Sequence, residues 1–336
     1  MKHYQPPFDI TPEILHLVEE IGEALGRWEV LELHDSPKLR RSNRIRTIQA
    51  SLEIENNTLN LEQITALLDG KRVLGLPREI QEVRNAFAAY EQMNQWQADN
   101  LEHFLEAHAL LMAGVLDYSG KFRNSGVGIY RGKNLVQMAP PASQISRLMA
   151  ELFNWLKSEP VHPLIASSVF HYELEFIHPF TDGNGRMGRL WQTLILSKWK
   201  PALAYLPVET VILDQQTGYY QALLDSDKMA NSTPFISFLL QALLTAIKEI
   251  ATTVQVSVQV SVQVKRLLNL LNTGKELKAT ELMADLNLNH RQSFRTNYLK
   301  PALLAELIEM TQPNSPKSPQ QKYRITPKGT DLLNKI

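Results

Sequence analysis

Apolar residues recur every three or four positions through most of the chain. This predicts helices over Ile10–Arg27, Arg40–Glu55, Leu61–Leu68, Pro77–Met93 and Ala98–Leu116. Asn60 stands before Leu61 as an N-cap, and Pro7, Pro37 and Gly70 punctuate the segments. The periodicity breaks over Lys121–Val136. There Gly120, Gly126, Gly128 and Gly132 interleave with Phe122, Val127, Ile129, Tyr130, Leu135 and Val136, which predicts a short β-hairpin or flap closed by Pro140-Pro141. Helical spacing returns over Ser143–Lys157, Pro163–Phe176 and Arg186–Trp199, and again near Thr217–Ser226 and Pro234–Ile250.

Val254–Val264 reads VQVSVQVSVQV, with Val at every even position. Alone it predicts a strand with one apolar face, although flanking helices can override so local a preference. An unpaired strand of this kind is either covered or part of an assembly surface. The segment is therefore an ordered connector or a dimerising strand, and a second copy of the chain is one candidate partner. Beyond it, Lys265–Ile336 reads as a small domain of its own. It holds a helix, then Thr280–Leu286, a turn at Asn287–Asn289, helices His290–Leu299 and Pro301–Met310, a polar loop and the strand-like Lys322–Thr326.

Length and composition sharpen this outline. With 336 residues, 44% of them hydrophobic, the chain can bury two or three cores. Its 35 basic and 35 acidic side chains cancel, so any attraction to nucleic acid or membrane is local. From Val264 to the end, 12 Lys and Arg face 6 Asp and Glu, so the neutral total hides a basic tail. The absence of cysteine excludes disulfides, thiolate metal sites and a cysteine nucleophile, and fits a reducing compartment. The N-terminus has no apolar run of signal-peptide length, and no other stretch approaches the ~20 apolar residues of a membrane span. The expectation is a cytoplasmic protein without a membrane partner.

The chemistry concentrates in Ile177-His178-Pro179-Phe180-Thr181-Asp182-Gly183-Asn184-Gly185-Arg186-Met187-Gly188-Arg189, between two helical segments. Pro179 disfavours helix at His178 and stops the first helix. Gly183-Asn184-Gly185 permits positive φ and a concave nest of backbone N–H groups opening onto a helix N-terminus, which suits a polyphosphate. Arg186 and Arg189 lie three apart in the first turn and offer two guanidinium forks. Asp182 is a hard oxygen ligand of the kind that holds a nucleotide-borne Mg²⁺. His178 has a side chain suited to taking a proton from an attacking hydroxyl. Base, metal ligand, anion nest and cationic clamps together describe phosphoryl-group chemistry. His171 and Glu175, four apart, have metal-ligand spacing but read better as a packed or solvated face.

The run His178–Arg189 resembles the Fic motif at every defining position. That resemblance implies a mainly α fold: a Fic-type helical bundle with a short β-hairpin flap, plus a C-terminal winged helix-turn-helix domain. The domains would be 1–95, an N-terminal helical region with an inhibitory helix; 96–250, the catalytic core; and 251–336, a connector and winged helix. It implies transfer of AMP from ATP, with Mg²⁺, to a hydroxyl side chain of a target protein. His178 would be the base, Asp182 the metal ligand, and Gly183, Asn184 and Gly185 the cradle. Arg186 would bind phosphate, Arg189 the γ-phosphate, and Phe180 would anchor the loop. Related phosphate-transferring toxins carry Lys at the place of Gly185, so AMP transfer is favoured here.

Ser51-Leu52-Glu53-Ile54-Glu55-Asn56 resembles the inhibitory helix of several Fic relatives, with Ser51 and Glu55 one turn apart. The implied brake is Glu55 pairing with Arg189. The same Glu in some relatives orients a water that removes AMP, so direction stays open. The target would dock on the flap 121–136 as an added strand. In the tail, Thr280–Leu299 resembles a helix-turn-helix and Tyr323–Gly329 the end of a winged helix. Arg291, Gln292, Ser293, Arg295 and Asn297, with Lys317, Lys322 and Arg324, would suit DNA bound through 280–326, or equally a protein partner. The rival from another class is a DNA-binding regulator whose Fic part senses ATP.

Overall fold

Sequence punctuation sets most helix ends in the computed structural model, which describes residues 4–30, 37–131, 134–158, 160–258, 262–272, 274, 276–312, 318 and 320–335. It forms two compact units, Met1–Lys248 and Glu249–Ile336. In the first, α1 (Pro12–Val30), α2 (Pro37–Ile54), α3 (Leu61–Leu68), α4 (Pro77–Gln92) and α5 (Leu101–Leu111) come before the hairpin. Asn60 caps α3 with a reciprocal box: its side chain accepts from the Gln63 N–H at 2.9 Å, and the Gln63 side chain accepts from the Asn60 N–H at 3.0 Å. Asn100 caps α5, which ends earlier than its apolar pattern predicts. Turns take over before Gly114, whose φ of +69° no helix accommodates.

Strands β1 (Gly128–Arg131) and β2 (Asn134–Met138) form an antiparallel pair with a register shift between Ile129 and Tyr130. The expected hairpin is present but narrower, since 121–127 is irregular; Gly132 and Lys133 lie outside the described residues. Then follow α6 (Ala142–Ser158), α7 (Pro163–Ile177), α8 (Asn184–Trp199), α9 (Val208–Asp214), α10 (Gln216–Met229) and α11 (Thr233–Val258). Helices α7 and α8 pack against each other, and α2 packs on α9, α4 and α3. Phe104, Phe153, Phe170, Phe180 and Trp191 interlock beneath the α7–α8 turn; Phe104 stacks on Phe180 at 5.5 Å and meets Trp191 edge-on at 5.0 Å. Within α11, Thr233–Ile250 is apolar and long enough to cross a membrane by composition alone. Here Phe235, Ile236, Leu239 and Leu240 are fully buried in the unit's core instead.

The second unit builds α12 (Val262–Leu271), β3 (Leu277–Lys278), α13 (Ala279–Asp285), α14 (Arg291–Phe294), α15 (Lys300–Leu304), β4 (Ile308–Met310), β5 (Lys322–Ile325) and α16 (Pro327–Lys335). The strands form an antiparallel sheet in the order β3-β5-β4. Leu267, Leu268, Leu271, Leu282, Phe294, Tyr298 and Leu307 fill its core.

One open segment takes the state of its flanking helices, and one expectation gives way. The period-two valines adopt helix through Val258 and again from Val262, with 259–261 outside the described residues. A β preference of about half a kcal/mol per Val is easily outweighed by continuing a long preformed helix. Pro301–Met310 is not one helix, since α15 stops at Leu304 and Ile308–Met310 enters the sheet. Pro301 itself is tolerated because the five residues before α15, Arg295–Leu299, take a π-helical turn. A widened turn relieves the proline ring of its clash with the preceding carbonyl.

Candidate active site

Helix α7 ends where Pro179 forbids its continuation. His178 takes the left-handed C-cap conformation, φ +50° and ψ +60°, and its N–H donates to the Leu174 carbonyl at 2.9 Å. Gly183, φ +90°, caps α8, whose first turn follows at once. The first N–H groups of a helix have no partner inside it, so Asn184 and Gly185, which line the cavity, present donors to it.

The intervening loop is pinned from inside. The Asn184 side chain accepts from the Phe180 N–H at 2.9 Å and donates to the Phe180 carbonyl at 3.0 Å. Asn184 was expected in the cradle; its buried amide serves the loop's shape, leaving only its backbone for an anion. Phe180 is fully buried, as expected of an anchor, and stacks flat on His108 at 3.6 Å. His108 Nδ1 accepts from the Gly120 N–H at 2.8 Å, so Nε2 donates to the Asp182 carbonyl at 3.0 Å. Burial lowers its pKa to about 4, and the neutral ring keeps both bonds.

A cavity of about 280 Å³ opens here, lined among others by Glu55, Glu175, His178, Asp182, Gly185 and Arg189. His178 is half-buried with Nδ1 sealed from solvent, which leaves Nε2 for the cavity. Burial pushes its imidazole below the ordinary value, so the ring is neutral and able to accept a proton at neutral pH.

Arg189 is wholly buried. Its Nε donates to Ser51 Oγ at 3.0 Å, and Nη2 donates to the Ser51 carbonyl at 3.0 Å and to Glu55 Oε1 at 2.7 Å. Burial alone would disfavour the charge, but the Glu55 carboxylate more than offsets it. Glu55 Oε1 also lies over Gly185, closer than a Cβ there would allow. A carboxylate thus occupies the anion seat at the start of α8.

Arg186 does not share this arrangement. Its Nη2 donates to Asp182 Oδ1 at 2.7 Å and Nη1 to Glu82 Oε1 at 3.2 Å. Asp182 Oδ2 accepts from Arg78, an exposed side chain, at 2.8 Å, and Oδ1 also accepts from the Gly183 N–H at 2.6 Å. Burial alone would raise the Asp182 pKa, but Arg186, the Gly183 N–H and Arg78 hold it below the ordinary value. The carboxylate is ionised, and one of its oxygens is held only by a movable arginine. That suits a magnesium ion brought by a nucleotide, whose other ligands are phosphates and waters.

His171 belongs to a packed face. It is buried, with Nδ1 against Gln192 Oε1 at 2.7 Å and Nε2 against the Tyr219 hydroxyl at 3.1 Å. Among the described residues no cluster of three or more metal-ligating side chains occurs.

Sequence reasoning missed His108, Glu82, Arg78 and Arg123. His108 lies four residues from Phe104, so helical spacing could have placed both against Phe180. Nothing in the sequence marks Arg123, because its partners are backbone carbonyls. In the second unit, Arg291, Gln292, Ser293, Arg295 and Asn297 are exposed along α14 and the π-helical turn, whereas Arg324 pairs with Glu309 and Glu276. Lys317 lies outside the described residues.

Residues 98–196 match the Fic/DOC family, and 262–326 match the C-terminal domain of the Fic-like "filamentation induced by cAMP" proteins. A crystal structure of a Fic family protein from Desulfovibrio desulfuricans G20 is 59% identical, covering 97% of this chain and 99% of that one with a TM-score of 0.75. The protein adenylyltransferase fic-1 of Caenorhabditis briggsae is 30% identical over 227 residues, 63% of this chain. That match spans 43% of the relative, less than half its length. Fic-1 of C. elegans, residues 134–508, shares the fold at 22% identity and a TM-score of 0.57.

Proposed function

The chain belongs to the Fic family, and from that premise we propose that it transfers AMP from ATP to a hydroxyl side chain of a protein, under restraint by Glu55. The observation that carries this reading is the Glu55 carboxylate seated on Arg189 over Gly185 at the start of α8. An anion already sits where a triphosphate would bring one. Curated relatives from nematode and flies bear the name protein adenylyltransferase.

In this reading the Asn184 and Gly185 N–H groups receive the phosphates, and Arg189, freed from Glu55, takes the γ-phosphate. A magnesium ion held by Asp182 would neutralise phosphate charge and steady the leaving group. The target hydroxyl attacks the α-phosphorus, its proton passes to His178, and the bond to the β-phosphate oxygen breaks to release pyrophosphate. The absence of a side chain at Gly185 keeps the anion seat open. The hairpin β1–β2 is two-stranded, so a target segment can extend it by backbone pairing.

Incubation with ATP labelled at the α or the γ position tests the reaction. Protein retaining only the α label, much more strongly in Glu55→Gly than in the parent and lost in His178→Ala, supports it. Retention of only the γ label, or release of AMP by the parent but not by Glu55→Gly, overturns transfer as the main activity.

A further inference from the structure

Arg123 lies outside the motif, between the cavity turn and the hairpin, and is 4% exposed. Its Nε donates to the His178 carbonyl at 2.7 Å and Nη1 to the Ser125 carbonyl at 2.7 Å. Nη2 donates to the carbonyls of Pro140 at 2.7 Å and Ile177 at 3.4 Å. Its own N–H donates to the Pro179 carbonyl at 2.9 Å. One side chain therefore ties three pieces of backbone: the strand approach before β1, the exit after β2 and the end of α7.

These acceptors are neutral carbonyls, an expensive way to bury a guanidinium. The site offsets the cost by placing the cation at a helix C-terminus and filling its fork with acceptors. What it holds is a strained residue. A non-glycine residue in the left-handed region is strained and persists only when its surroundings impose it. One of the three carbonyls that Arg123 holds at 2.7 Å belongs to His178, whose φ is +50°.

We infer that Arg123 is a positioning residue for the catalytic base. Its fork fixes the His178 backbone in the left-handed turn and links that turn to both feet of the hairpin, so an acceptor docked on the hairpin meets an imidazole already in register. This inference rests on the reading of His178 as the base of AMP transfer. Burial is the chief influence favouring the neutral His178 ring, and Arg123 adds to it; the Glu175 backbone and the Glu55 and Asp182 carboxylates favour the charged ring.

The test uses the full chain carrying Glu55→Gly, with Arg123→Gln and Arg123→Lys added separately, and measures Tm, ATP affinity, kcat and its pH profile. Both variants are expected to bind ATP within about twofold of their parent, because the cradle hangs on Asn184 and Phe180 instead. In Arg123→Gln, kcat falls on the order of 100-fold, the scale set by an ångström of misplacement. Its acid limb moves to higher pH, since the cation that depresses the His178 pKa is gone. Arg123→Lys, which keeps the charge but not the fork, loses kcat with the limb unmoved. A folded Arg123→Gln with kcat within about twofold of its parent, or a loss carried wholly by ATP affinity, overturns the inference. Absence of α-label transfer in the Glu55→Gly parent would instead sink the proposed reaction.

Discussion

A Cβ on Gly188 would stand 2.6 Å from His171 Cδ2 and 2.8 Å from its Nε2. His171 cannot step aside, because it is fully buried and held by Gln192 and Tyr219. Gly188→Ala is therefore expected to cost ~1–3 kcal/mol through overpacking between α7 and α8, read as a lower denaturation midpoint. An unchanged midpoint would mean the helices part more readily than this packing allows. The example marks what residue types disclose. His178, Asp182 and Arg189 were legible because their side chains bear chemistry at a recognisable spacing. The need for glycine at 188 was not, since it depends on a neighbour 17 positions earlier. Arg123 and His108 stayed hidden for a related reason: a carbonyl acceptor leaves no trace in side-chain identity.

In the proposed reading helix α2 is the element through which restraint acts, and it is gripped away from Glu55 as well. The Arg44 guanidinium lies over the rings of Tyr90 at 4.9 Å and Tyr205 at 5.0 Å. It is 4% exposed, with Nε and Nη1 buried and without a hydrogen-bond partner. Its hold on α2 includes these cation–π contacts, worth ~1–2 kcal/mol, beside its attraction to the buried Glu209 carboxyl. Arg44→Ala is expected to raise α-label incorporation several-fold, less than Glu55→Gly, because it loosens the helix while leaving the carboxylate in place. Labelling at the parental level would show that α2 is seated by its apolar face alone. Helices with strong spacing and a marked start, Asn60 capping α3 and Pro77 opening α4, were legible to within a residue. Helix α9, the second strand of the tail and α16 were not, being short segments whose state is set by tertiary contacts.

For the whole molecule, buried acids and buried histidines shape the pH response between them. Burial raises both Glu173, which accepts from the Tyr4 hydroxyl at 2.7 Å, and Glu209, which accepts from Tyr90 at 3.1 Å, from 4.5 to about 7. Between those values the folded chain keeps protons that the unfolded chain has released. Their stabilisation is complete below 4.5 and is lost as pH rises through about 7. His108 and His171, which burial lowers from 6.5 to about 4 and about 3, act with the opposite sign below 6.5. The acids should therefore show as a fall in Tm from pH 6.5 to pH 8 that Glu209→Gln flattens; an unaltered slope would remove Glu209 from the account. The two units carry separate cores, so a chain ending at Val258 is expected to fold and to keep ATP-dependent labelling. Loss of labelling on that truncation would make the second unit part of the enzyme.

The bare backbone at Gly185 admits either Glu55 or an incoming anion, and no side chain would leave room for the first. In the proposed reading, regulation and reaction type are consequently inherited together. A lineage that replaced this glycine, by Lys for instance, would lose its safety catch in the same step that altered its chemistry. Escape from restraint alone must instead come through α2, where Ser51 and Glu55 can change without touching the turn that does the work.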